Sequence, residues 1–146
     1  MYFPYLRGRQ YELLALRELV SRGLISNKVI PIVEPVKLST TLVNTMAEFI
    51  KANHNIAVIR NPAVGTFISD LQEAREETKE AQYKQRFNEQ YQNPHILKSL
   101  IMTKDVCELI EELEKEDTRK SDMLIINTDR ECLELYLELF SDASPC

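Results

Sequence analysis

Apolar residues in this chain gather in two alternating kinds of stretch. Short apolar runs, β-branched at 29–33 and interrupted by Lys98 and Ser99 in the fourth, occupy residues 2–6, 29–33, 56–59, 96–102 and 123–126. Between them, apolar positions recur every three or four residues. The first kind predicts buried strands and the second amphipathic helices. Gln10 opens a helix with Leu13, Leu16 and Val20 on one face, and Gly23 stands where a left-handed cap belongs. Ser39 or Thr40 caps the next helix, lined by Leu42, Met46 and Phe49. Thr103 caps a helix with Val106, Ile110 and Leu113 inside. Thr128 with Glu131 forms a capping box before Leu133, Tyr136, Leu137 and Phe140.

The third connection is different. Ser69 and Gln72 read as a capping box for a long helix, 69–90, ended by Asn93-Pro94. Its apolar positions, Leu71, Ala74, Ala81, Phe87 and Tyr91, make only a thin stripe among charged and Gln residues. A solvated, weakly docked helix is expected, with its charged face as a candidate contact surface.

Five strand-helix units in strict alternation imply an α/β fold with parallel strands joined by right-handed crossovers. A partial (β/α) barrel fits, and so does an open doubly wound sheet. A complete eight-stranded barrel typically needs about 250 residues, against 146 here. One domain over 1–140 with a tail at 141–146 is expected. So are two free edges, at the first and fifth strands, and hence a homodimer joined through them or a protein partner.

The net charge of −5 opposes a nucleic-acid partner, which needs a positive surface to displace counterions. No apolar run approaches the length of a membrane span, and the N-terminus lacks the features of a secretory signal. A cytoplasmic location is expected. Cys107, Cys132 and Cys146 have neither metal-ligand nor redox spacing. His54 and His95 fall at the amino ends of strands and read as surface residues. With three glycines in all, no Gly-rich phosphate loop exists, and no cofactor is specified.

One stretch carries a family pattern. Tyr2, Pro4 and Leu6 precede Arg7-Gly8-Arg9-Gln10-Tyr11-Glu12, then Ala15-Leu16, then Ile30-Pro31-Ile32-Val33-Glu34. This resembles the start of the phage and bacterial "beta protein" family, in which a basic-any-basic-Gln-any-Glu motif leads into a helix with Ala-Leu and a strand ending in Glu. Many relatives have Trp and Gly where this chain has Gly8 and Tyr11. The match covers roughly the first forty residues; relatives are about twice this length. The resemblance implies a TIM barrel-like fold and an association with phage or mobile elements. It implies no established activity.

Parallel α/β folds hold their ligands at the carboxyl ends of the strands. Those ends carry Arg7 and Arg9, Glu34 and Lys37, Arg60 and Asn61, Thr103 and Lys104, and Asn127 and Asp129. Arg7, Arg9, Lys37, Arg60, Asn61, Asn127 and Asp129 are candidate ligands for a small anionic, phosphorylated molecule. Glu34 is the candidate catalytic base. The competing reading is an internal salt-bridge network joining Glu34 to Arg7, Arg9 or Arg60. Glu34 with Asp129 is weak as a metal pair, and no metal site is assigned. The rival function is a non-enzymatic interaction or regulatory domain in phage-host conflict, using the 69–90 helix.

Overall fold

The structure is a computed structural model that describes residues 1–73 and 79–143. Five strands form one sheet: β1 (Tyr5–Gly8), β2 (Ile32–Pro35), β3 (Ile56–Ile59), β4 (Ile96–Ile101) and β5 (Leu124–Ile126). Every pair is parallel and the order is β1-β2-β3-β4-β5. The helices are α1 (Gln10–Ser21), α2 (Thr40–Lys51), α3 (Phe67–Glu73), α4 (Lys79–Tyr91), α5 (Val106–Lys115) and α6 (Leu133–Leu139).

The strand order decides between the two predicted architectures. A doubly wound sheet reverses direction at a switch point and covers both faces with helices. Here the order never reverses. Leu13, Met46, Phe67, Phe87, Ile110 and Phe140, drawn from the helical layer, share one core with Val33, Val58, Ile96 and Leu100 of the strands. The opposite face has its own cluster, Ile32, Ala57, Ile59, Ile101 and Leu124, built from strand residues alone. These residues are buried although, among the described residues, no helix packs into their cluster. Helices on one face and strand side chains alone on the other is the arrangement of a (β/α) barrel wall, whose concave interior is filled by strand side chains. The fold is a segment of a (β/α) barrel, one of the two arrangements the alternation allows.

Element ends depart from expectation for identifiable reasons. β1 and β2 run two residues further than their apolar runs, so Arg7 and Glu34 lie inside strands rather than beyond them. Pairing of backbone groups continues whatever the side chain, and Arg7 opposes Glu34 in register. The earlier residues of the first run make only a bridge, Tyr2 to Val29. α3 starts at Phe67 rather than after Ser69: Thr66 O accepts the Asp70 N–H, and the Thr66 hydroxyl meets the Asp70 carboxylate at 3.2 Å. Asp105, not Thr103, is the residue before α5. Asp129, not Thr128, caps the last segment by accepting the Glu131 N–H, and a 3-10 turn, Arg130–Cys132, precedes α6.

The charged third connection is better anchored than its thin stripe predicts. Phe67, Leu71, Phe87 and Tyr91 are all buried in the main core. Phe67 meets Phe87 edge-on at 5.2 Å, and Phe87 stacks on Tyr91 at the same separation. Such aromatic pairs add about 0.5–1.5 kcal/mol beyond their buried area. Ala74, part of the expected stripe, lies outside the described residues, as does Cys146. His54 is not a surface residue. It is buried edge-on to Phe49, with Nδ1 at 3.0 Å from Asn55 O and Nε2 at 3.2 Å from Ser26 O. No helix among the described residues is long and apolar enough to cross a membrane.

Candidate functional site

β1 and β2 end side by side and their chains turn at once into α1 and α2. Gly8 makes this approach feasible: a Cβ there would lie 2.9 Å from Val33 Cγ1 and 3.2 Å from Glu34 O. Between the two strand ends lies a groove of about 490 Å³, lined by Gly8, Arg9, Gln10, Val36, Lys37, Ser39, Thr40 and Thr41. That size suits a small ligand. Among the described residues its lining contains two cations and no carboxylate.

Each cation is set by a helix start. Arg9 is the residue before α1, in extended backbone, and its N–H donates to Glu12 Oε2 at 3.2 Å. Ser39 caps α2 by accepting the Leu42 N–H at 3.2 Å, and Lys37 lies two residues earlier. The leading N–H groups of a helix have no acceptor within it and carry the positive end of its dipole. Two twelve-residue helices thus start at the groove. Among the described residues, neither Arg9 nor Lys37 takes part in an ion pair.

The other predicted residues are elsewhere. Glu34 projects from β2 to the concave side, 3% exposed, and its Oε1 accepts the Ala63 N–H at 2.8 Å. Burial first, then the Glu34 carboxylate beside it, pushes the Tyr5 phenol up to about 12. No ion pair among the described residues joins Glu34 to Arg7, Arg9 or Arg60, so the expected salt-bridge network does not form. Arg7 is exposed beside Glu34 in the register.

Asn61 is fully engaged: its Nδ2 donates to Ile101 O at 2.8 Å and its Oδ1 accepts the Ile101 N–H at 2.9 Å. The side-chain amide extends the β3–β4 pairing by one more rung. Asn127 and Asp129 fold back on their own loop, Asn127 Oδ1 accepting from Asp129 N–H and Asp129 Oδ1 from Glu131 N–H. Lys104 pairs with Glu131 at 3.3 Å on the surface. Among the described residues no group of three His, Cys, Asp or Glu is placed to hold a metal.

Sequence reading passed over Ser39, Thr40 and Thr41 as ligand groups. Their signal was present, since a polar helix start follows directly on a strand end. It also passed over a second cavity of about 590 Å³ at the amino ends of β4 and β5, lined by Lys98, Glu116, Arg119 and Asp122 among others. There Arg119 is held by Asp122 through Nε at 2.7 Å and Nη2 at 3.1 Å. Lys98 has no ion pair among the described residues and lies 5.7 Å from the centre of the Tyr91 ring. Its partial burial lowers its pKa, against the pull of Glu116 and Asp122.

Comparison of the chain with protein-family models, with curated proteins and with solved structures returns no match.

Proposed function

We propose that this protein binds a small anionic, phosphorylated ligand in the groove between the carboxyl ends of β1 and β2. The observation that carries the reading is the groove's composition: among the described residues its lining has Arg9, Lys37 and two helix N-termini and no carboxylate, although the Glu12 carboxylate accepts the Arg9 N–H. An anion there meets backbone N–H donors, the hydroxyls of Ser39, Thr40 and Thr41, and two unpaired cations. Of the strand-end residues, Arg9 and Lys37 are the ligand groups. Glu34 lies outside the lining, its Oε1 committed to the Ala63 N–H, so the reading is of a binding domain with no reaction assigned. The beta-protein pattern over the first forty residues adds an association with phage or mobile elements to this reading.

Calorimetry with inorganic phosphate, pyrophosphate and a sugar phosphate tests it. Saturable binding that weakens with salt is expected. Arg9→Ala or Lys37→Ala should each cost about tenfold or more, the worth of one charge-assisted hydrogen bond. Glu34→Gln should leave the affinity unchanged. Absence of binding to all three anions, or binding indifferent to both cation variants, would overturn the proposal.

A further inference from the structure

Among the described residues the two ends of the sheet are unpaired, and they complement each other. At the β1 end, Tyr2 N–H donates to Lys28 O, Ile30 N–H to Tyr2 O and Ile32 N–H to Pro4 O. Tyr2 and Pro4 therefore turn their peptide groups toward β2, and alternation turns those of Phe3 and Tyr5 outward. Pro4, which has no N–H to offer, is on the paired side and does not block the edge. At the β5 end, Met102 N–H donates to Ile126 O, so Ile125 turns its peptide group outward.

The helices beside these edges carry exposed apolar residues in helical register. On α1 these are Tyr11, 83% exposed, Ala15, and Leu19, 40% exposed. On α6 they are Leu133 and Leu137, 48% and 58% exposed. Charge separates the ends as well. Residues 1–28 carry Arg7, Arg9, Arg17, Arg22 and Lys28 against Glu12 and Glu18. Residues 123–143 carry Asp129, Glu131, Glu134, Glu138 and Asp142 against Arg130.

We infer that the β5–α6 end of one copy docks on the β1–α1 end of a second copy of this chain. The strands join in parallel, which keeps both helical layers on the same side. Leu133 and Leu137 pack toward Tyr11 and Leu19, and the acidic end faces the basic one. Charge selects this pairing: two α6 ends brought together would set carboxylates against carboxylates, and two α1 ends arginines against arginines. The contact is heterologous, made of two different surfaces.

That asymmetry gives the test. Light scattering at micromolar concentration should give the unmodified chain a mass above the 17.0 kDa of one copy, falling as salt is raised. Tyr11→Glu spoils the α1 surface and Leu137→Glu the α6 surface; circular dichroism checks that both remain folded. Each variant alone lacks one of the two surfaces and should be monomeric. Mixed in equal amounts, they retain one intact contact and should form a one-to-one dimer. A monomeric unmodified chain, a variant that still self-associates, or a mixture that stays monomeric would each overturn the inference.

Discussion

The Glu34 carboxylate accepts the Ala63 N–H at 2.8 Å and so ties the loop after β3 to the strand beside it. The same loop is held by Thr66 N–H on Val36 O, and α3 after it by Leu38 N–H on the Asp70 carboxylate. Glu34 is buried without a cation, so its removal strands polar donors rather than a partner charge. Glu34→Ala should cost about 1–3 kcal/mol, and Glu34→Gln, which keeps an acceptor oxygen, less. Urea melts of the two variants check this. A loss of about 3–5 kcal/mol for both, the signature of a broken buried ion pair, would contradict the geometry.

Tyr5 titrates as a raised phenol, from 10.0 to about 12. Folding favours its protonated form. The stability it adds is fully present below the unfolded value near 10 and is lost as pH rises toward 12. In Glu34→Gln the carboxylate charge is gone while the burial remains, so the phenol should move part of the way back. Ring-carbon NMR of Tyr5 against pH measures both; an unchanged midpoint in Glu34→Gln would show that the carboxylate has no part in the shift.

Asn61 serves Ile101 as a backbone group would. Asn61→Ala removes two hydrogen bonds and should destabilise by about 1–3 kcal/mol. Asn61→Asp keeps the acceptor for Ile101 N–H but turns a second oxygen on Ile101 O. It should be the worse variant at neutral pH, and should recover as the pH falls and the carboxyl is protonated. Thermal melts at two pH values distinguish the pair.

Two glycines with positive φ should respond differently to alanine. At Gly23, φ +63°, no atom lies within 4 Å of the added Cβ, so only the left-handed backbone penalty of about 1–2 kcal/mol applies. At Gly65, φ +78°, the Cβ would lie 1.9 Å from Val36 O. Gly65→Ala must displace the loop, and the Thr66 amide should lose hydrogen-exchange protection along with stability. Equal melts for the two variants would refute the close approach.

Lys98 should present a neutral amine at lower pH than an ordinary lysine side chain, because burial lowers its pKa. Pulsed acylation followed by peptide mass spectrometry gives a labelling midpoint for each lysine. A Lys98 midpoint no lower than that of exposed Lys28 would contradict the partial desolvation.

Much of this architecture was legible in the chain. β3 matches its predicted bounds because an apolar, doubly buried run stops where the pattern stops. The faces of α1, α2 and α5 follow their three-and-four spacing, with Leu13, Leu16, Val20, Leu42, Met46, Phe49, Val106, Ile110 and Leu113 buried as read. Parallel pairing follows from alternation, since each strand-to-strand connection contains a helix. The position of Arg9 and Lys37 just past the carboxyl ends of β1 and β2 was legible as well.

The tertiary structure alone decided the rest. A polar residue after an apolar run can lie inside a strand or beyond it, and only the register shows that Arg7 and Glu34 are inside. Whether Glu34 meets a guanidinium or a backbone amide depends on a loop 29 residues away. Asn61 is indistinguishable in sequence from a free ligand group until Ile101, 40 residues later, is brought beside it. The strand order, and hence a barrel segment rather than a two-sided sheet, is a property of how the units stack. Periodicity records which face of an element avoids water; it does not record which neighbour covers that face or accepts its hydrogen bonds.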